Sequence, residues 1–204
     1  MAETGIRLIV GLGNPGPEYE ATRHNVGFWL AEALAASHGG VFRLDSKFHG
    51  LLVRIAPMGR ELRLFKPATY MNRSGQAVAA VARYFDLAPE QILVAHDELD
   101  LPVGVLRLKQ GGGHAGHNGL RDIIQVLGSR EFWRLRIGID HPGDKHLVTS
   151  YVLGRAPKAD EALIRELFAE ADGALTDLMD GHFERAMNRL HSGRCPQAPA
   201  ARLG

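Results

Sequence analysis

Cysteine is nearly absent: Cys195 is the one thiol in 204 residues, so no disulfide can close within the chain. A chain of this length needs none, since it can bury about 70% of its unfolded surface in one core. A single cysteine suits a reducing compartment, and the expected location is the cytoplasm. An excess of either charge is also missing. Lys and Arg number 24, Asp and Glu 23, for a net charge of +1, which argues against a chain coated in nucleic acid but permits a local basic patch. No apolar run approaches the roughly 20 residues that span a bilayer, so no membrane partner is expected. Met1 to Gly5 is too short and polar for a secretion signal ahead of the first strand. There is no internal repeat and no linker, and 204 residues fit one domain.

What is present is an alternation of strand and helix signals. Ile6 to Leu12 is an almost unbroken apolar run, the pattern of a strand buried on both faces. Val26, Trp29, Leu30, Ala33 and Leu34 recur at helical spacing up to Gly39 and Gly40. Phe48 to Ile55 and Glu61 to Lys66 predict a hairpin turning at Pro57 to Arg60. Ala77, Val78, Val81, Ala82 and Phe85 mark a second helix, and Ile92 to Ala95 a short buried strand. Val103 to Lys109 and Arg134 to Ile139 alternate apolar and polar residues. Between them lie a glycine-rich loop (Gly111 to Gly116) and a helix from about Gly119 to Leu127, closed by Gly128. Leu163, Ile164, Leu167, Phe168, Ala171, Leu175 and Leu178 predict one amphipathic helix near the C-terminus. The expected fold class is α/β: a single three-layer domain over residues 5–191, with a mixed, mostly parallel twisted sheet flanked by helices. Residues 192–204 are expected to be a disordered tail. Sites in such sheets form beyond the carboxyl ends of parallel strands. Here that points to the loop after Leu12 and to His96 and Asp97.

Gly11-Leu12-Gly13-Asn14-Pro15-Gly16 matches G-x-G-x-x-G after a strand. A dinucleotide loop needs a helix to start there, so that its amides meet a pyrophosphate. Pro15 has no amide hydrogen and pushes Asn14 toward extended geometry, and the next helical pattern begins only near Val26. The motif reads instead as a tight turn with Pro15 and Gly16 in its central positions, and no cofactor is expected.

Four segments carry polar residues of another kind: Tyr19-Glu20-Ala21-Thr22-Arg23-His24-Asn25, Pro67-Ala68-Thr69-Tyr70-Met71-Asn72, His96-Asp97-Glu98-Leu99-Asp100, and Gly111-Gly112-Gly113-His114-Ala115-Gly116-His117-Asn118-Gly119. In this order, followed by Arg136-Ile137-Gly138-Ile139 and His141-Pro142-Gly143-Asp144, they resemble the bacterial-type peptidyl-tRNA hydrolase family. The likeness runs from about Ile6 to Leu190. It implies a hydrolase that cuts the ester between a peptide, or an N-acyl-aminoacyl group, and the 3′ ribose of tRNA, so that both products are recycled. His24 would be the base that activates a water, and Asp97 its partner. Asn14, Asn72 and Asn118, with Tyr19 and Tyr70, would bind substrate. The resemblance also implies no metal, no organic cofactor, no obligate protein partner and a monomer.

The chemistry is coherent from the residues upward. An ester is activated enough for a positioned water, and histidine exchanges protons near neutrality, an effect typically of about 10²–10⁴-fold. A carboxylate beside it fixes the tautomer. Neutral amides read a peptide backbone of any sequence. Each residue also has a plainer reading: Asn14 as a turn residue, Asn118 as a helix N-cap, Asn72 before a helix with Ser74 a competing cap, His24 as a helix start and Asp97 as a cap for the next turn.

Arg107 and Lys109 share one face of their strand, and Arg134 and Arg136 share a face of theirs, with Arg121 and Lys145 near in sequence. Neighbouring strands would merge these faces into a phosphate-binding patch, against the plainer reading of polar-out alternation. The resemblance favours Lys109 and Arg136 as contacts to the acceptor stem. Two rivals remain. His96, Asp97, Glu98 and Asp100, with His114 and His117, could serve a metal-dependent hydrolase, although their spacing matches no zincin pattern and successive strand residues face opposite ways. The fold could also serve RNA binding alone, but a pure binder has no need of a base beside a carboxylate.

Overall fold

The computed structural model describes residues 5–192. Seven strands form one sheet: β1 (Leu8–Gly11), β2 (Arg43–Asp45), β3 (Gly50–Ile55), β4 (Leu62–Pro67), β5 (Ile92–Glu98), β6 (Leu106–Gln110) and β7 (Trp133–Gly138). Their order is β2-β3-β4-β1-β5-β7-β6. The central β4, β1, β5 and β7 run parallel, while β3 and β6 run antiparallel to their inner neighbours. The helices are α1 (Val26–Ser37), α2 (Ser74–Tyr84), α3 (Asn118–Leu127), α4 (Val148–Val152), α5 (Lys158–Gly173), α6 (Leu175–Met179) and α7 (Phe183–His191).

Alternation along each central strand builds two cores. Ile9, Leu93 and Ala95 join Val26, Leu30, Leu34, Ile164 and Phe168 on the side of α1 and α5. Leu8, Val10, Ile92 and Val94 join Val78, Val81, Leu120 and Ile123 on the side of α2 and α3. The expected three-layer architecture is therefore present. The chain leaves β1 for β4 on one side and then crosses to β5 on the other, so the order in which strands are added reverses between the parallel β1 and β5. A crevice opens at such a point, beyond the carboxyl ends of the strands.

Two glycines, at the end of β1 and the start of α1, have a packing function. A Cβ on Gly11 would overlap the Gly27 carbonyl, and one on Gly27 would overlap the Ala95 carbonyl and Leu12. The first turn of α1 thus lies directly against the backbone of β1 and β5, which brings the residues before it to the strand ends. Gly16 has φ of +112° at a bend, but the turn falls later than the expected Asn14 to Pro17: it covers residues 17–21, and the Tyr19 N–H donates to the Gly16 carbonyl at 3.1 Å.

The structure corrects several sequence expectations. The single C-terminal helix divides at Ala174 into α5 and α6; Gly173 lies against Arg189 of α7, and Leu163 is exposed. The strand expected from Val103 begins at Leu106, because Gly104 adopts φ of +83° in a turn. The hairpin is present, but Phe48 lies in a 3-10 turn ahead of β3. β2, α4 and α7 are additions to the expected elements: the first two are only three and five residues long, and α7 is mostly polar. Apart from Ser192, the expected tail lies outside the described residues.

Candidate active site

The crevice holds a cavity of about 830 Å³, within the range of small-ligand sites. Its walls come from the ends of β1 and β5, the start of α3, and α4. His24 stands in a 3-10 turn, Arg23–Asn25, immediately before α1. That turn is tied down by Arg23, whose guanidinium donates to the Tyr151 and Arg155 carbonyls, both at 3.1 Å, and lies 4.0 Å over the Tyr151 ring.

His24 Nδ1 lies 2.9 Å from both carboxylate oxygens of Asp97. Asp97 is buried near the end of β5, and a carboxylate only accepts, so Nδ1 carries the proton and Nε2 keeps its lone pair. Burial lowers the His24 pKa, but the Asp97 charge and hydrogen bond outweigh it and hold the pKa above 6.5. Burial would likewise raise the Asp97 carboxyl; the charges and hydrogen bonds of His24 and His117 prevail and hold it well below the usual carboxylate range.

His117 belongs to this group, where the sequence suggests only a possible metal ligand. Its Nε2 donates to Asp97 Oδ1 at 2.8 Å, while Nδ1 accepts from the Leu120 N–H at 3.3 Å. The same ring therefore caps α3 and orients the aspartate. This corrects the expectation for Asn118, which is the first residue of α3 rather than its cap; its side chain is left exposed at the cavity. His96 is fully enclosed; burial, then the His117 charge, push its pKa down to about 3, so the ring is neutral. Its Nδ1 donates to the Asp97 carbonyl at 2.8 Å.

Asn14 is buried and held at three points. Its backbone N–H donates to Asn25 Oδ1 and its carbonyl accepts from Asn25 Nδ2, both at 2.9 Å. Its side-chain Oδ1 accepts from the Met71 N–H at 2.7 Å. With the oxygen occupied, Asn14 presents only its Nδ2 donor to the cavity. The same bond fixes the 3-10 turn Met71–Arg73, which exposes Asn72 in the cavity wall. Asn25 is a residue supporting the site that sequence reasoning misses, although it stands directly after His24. Tyr70 lines the cavity; Tyr19 does not, and reaches it through an edge-to-face contact with Tyr70 at 6.4 Å.

β6 and β7 are neighbours, with Arg107 opposite Arg136 and Lys109 opposite Arg134, so the two basic faces merge. Arg134 departs from expectation. It is buried, and its guanidinium donates to the Gly112 and Gly113 carbonyls, so it supports the glycine loop instead of facing solvent. Lys109 is exposed, and Arg136 is held only loosely, 4.0 Å from Glu98. Both line the cavity beside Lys145.

His24, Asp97 and His117 also bring three potential ligand atoms within 4.8 Å of one another. A cation there would have to displace the proton on His117 Nε2, which the Leu120 contact at Nδ1 keeps in place. The group fits a proton-transfer network better than a metal centre.

An imidazole with Nε2 left free, set among amide donors at the switch point of an α/β sheet, is an arrangement suited to a hydrolase. Comparison with known proteins agrees. The family model for peptidyl-tRNA hydrolase matches residues 8–198. The peptidyl-tRNA hydrolase of Azotobacter vinelandii is 55% identical over 190 residues, covering 93% of this chain and 98% of that protein. That of Pseudomonas aeruginosa is 54% identical with the same coverage. The crystal structure of the Acinetobacter baumannii peptidyl-tRNA hydrolase superposes with a TM-score of 0.91 at 48% identity, covering 95% of this chain and 98% of that one. The chain belongs to the peptidyl-tRNA hydrolase family, and its reaction is the hydrolysis of peptidyl-tRNA with release of tRNA.

Proposed function

We propose that His24 is the general base of this reaction and that it acts on water without a metal. The observation that carries the reading is the His24 Nδ1–Asp97 pair, which leaves Nε2 as the one basic nitrogen of that ring free for substrate. Nε2 takes a proton from water as the oxygen adds to the ester carbonyl. Asp97 supports the imidazolium that forms, and His117 keeps Asp97 aimed. The developing oxyanion is met by amide N–H donors, with Asn14 Nδ2 restricted to that role by its Met71 bond. His24 then returns the proton to the 3′ ribose oxygen as the carbon–oxygen bond breaks, yielding the tRNA hydroxyl and the peptide acid. Asn72, Asn118 and Tyr70 hold the peptide backbone, and Tyr19 backs Tyr70. Lys109 and Arg136 meet acceptor-stem phosphates.

The enzyme works as a monomer in the cytoplasm. In support, no described helix is long and apolar enough to cross a membrane, and the residues of the mechanism all come from one chain. The test is single-turnover release of N-acetyl amino acid from N-acetyl-aminoacyl-tRNA in EDTA, for wild type and His24→Ala. Fast wild-type cleavage with a loss of several orders of magnitude in the variant is expected. Activity that vanishes in EDTA and returns with a divalent cation would overturn the metal-free mechanism.

A further inference from the structure

β6 is an outer strand of the sheet, and its free edge is covered at two adjacent points. The Leu108 N–H points away from β7 and donates to His191 Nε2, at the end of α7, at 3.0 Å. The Leu106 carbonyl accepts from the guanidinium of Arg107 at 2.7 Å. α7 lies along β6, and its other end is anchored where Phe183 stacks on Trp133 of β7 at 3.8 Å. Outer strands carry unpaired backbone groups, so a cover is useful in itself. The placement of this one goes further. Leu108 sits between Arg107 and Lys109, and Arg107 faces Arg136 directly across the ladder. Like charges opposite each other weaken a strand pair, so a bond from outside the ladder adds to what holds this stretch of β6 on β7. Burial, then the Arg107 and Arg136 charges, keep the His191 pKa below its ordinary value and favour the neutral ring, and the Leu108 N–H aimed at Nε2 makes that nitrogen the acceptor.

We propose that His191 is a positioning residue for tRNA binding: by accepting the Leu108 N–H it holds β6 in place so that Arg107 and Lys109 stand beside Arg136 as one cationic surface. This rests on the assignment of that surface to acceptor-stem phosphates. His191 itself need not touch the RNA.

The test uses the full chain with His191→Ala and His191→Gln. It measures tRNA affinity at fixed salt, KM and kcat for N-acetyl-aminoacyl-tRNA, and hydrogen exchange at the Leu108 amide. One net hydrogen bond corresponds to about fivefold in an equilibrium constant. His191→Ala should weaken tRNA binding and raise KM by about that factor, with the loss in KM rather than kcat, and should speed exchange at Leu108. His191→Gln, whose amide oxygen can accept the same N–H, should restore affinity and protection. His191→Asn, an amide too short to reach, should behave like alanine and serves if the alanine variant folds poorly. Unaltered affinity in His191→Ala and His191→Asn would overturn the proposal, and so would a glutamine variant that restores protection at Leu108 but not affinity. A Lys109→Ala, Arg136→Ala double variant separates the two levels. Undiminished affinity there would remove the surface assignment and this proposal with it. A weakened double variant beside an unaffected His191→Ala would remove this proposal alone.

Discussion

Replacing Asp97 with asparagine preserves volume but turns one acceptor at the centre of the site into a donor. The wild-type carboxylate accepts from two rings at once, His24 at 2.9 Å and His117 at 2.8 Å. Asparagine has one oxygen, and His117 has the stronger claim on it, because its Nδ1 is committed to Leu120 and its Nε2 must therefore donate. The new NH₂ then faces His24 Nδ1, which accepts and moves the ring proton to Nε2. That tautomer has no lone pair for water. The loss is the general-base contribution, about 10³-fold or ~4 kcal/mol of barrier, read as single-turnover cleavage of N-acetyl-aminoacyl-tRNA. The pH profile supplies a second reading. If His24 is the base as proposed, catalysis needs it neutral, so the wild-type rate should rise with pH through a pKa that Asp97 raises above the ordinary histidine value. Without the Asp97 charge, burial dominates and the limb shifts to lower pH. Adding His117→Asn, which keeps an N-cap but is too short to reach residue 97, frees the asparagine oxygen to turn toward His24 and should recover part of the rate. A variant within tenfold of wild type, or a double variant slower than Asp97→Asn, would refute the tautomer argument.

Other variants probe single interactions. Asn14→Asp keeps the oxygen that meets the Met71 N–H but removes the Nδ2 donor; cleavage should fall about 10²–10³-fold with little change in a denaturant melt. The Lys109→Ala, Arg136→Ala double variant should flatten the plot of log affinity for tRNA against log salt by nearly two units, one for each phosphate no longer neutralised; an unchanged slope would place the acceptor stem elsewhere. Gly27→Ala forces a methyl into the Ala95 carbonyl and the Leu12 backbone, and urea unfolding should register a loss of about 1–3 kcal/mol or more, with reduced activity as the turn carrying His24 shifts.

The layer order of the fold is legible in the sequence because two-faced burial of β1 and β5 leaves nearly continuous apolar runs, and α1, α2 and α3 bury regular stripes. That no helix starts within Gly11 to Gly16 is legible for a local reason, the missing amide of Pro15, whereas the turn itself lies a few residues later than the sequence suggests. Elements of three to five residues carry too few positions for a period, so β2 and α4 do not stand out. Arg134 misleads because alternation reports which face a residue takes, not whether a loop will close over that face and accept from its guanidinium.

For the site, the sequence alone supplied residue types and order: a histidine before a helix, an aspartate near the end of a buried strand, one asparagine in the loop after the first strand and two at helix starts. Tertiary structure decided their chemical states. Which nitrogen of His24 is basic depends on Asp97, 73 residues away. Which end of Asn14 is left for the cavity depends on an amide 57 residues on, and the proton on His117 depends on the first turn of α3. A proton's position is set by the partner across space, and a linear pattern of residue types carries no record of that partner until the sheet brings β1, β5 and α3 to one edge.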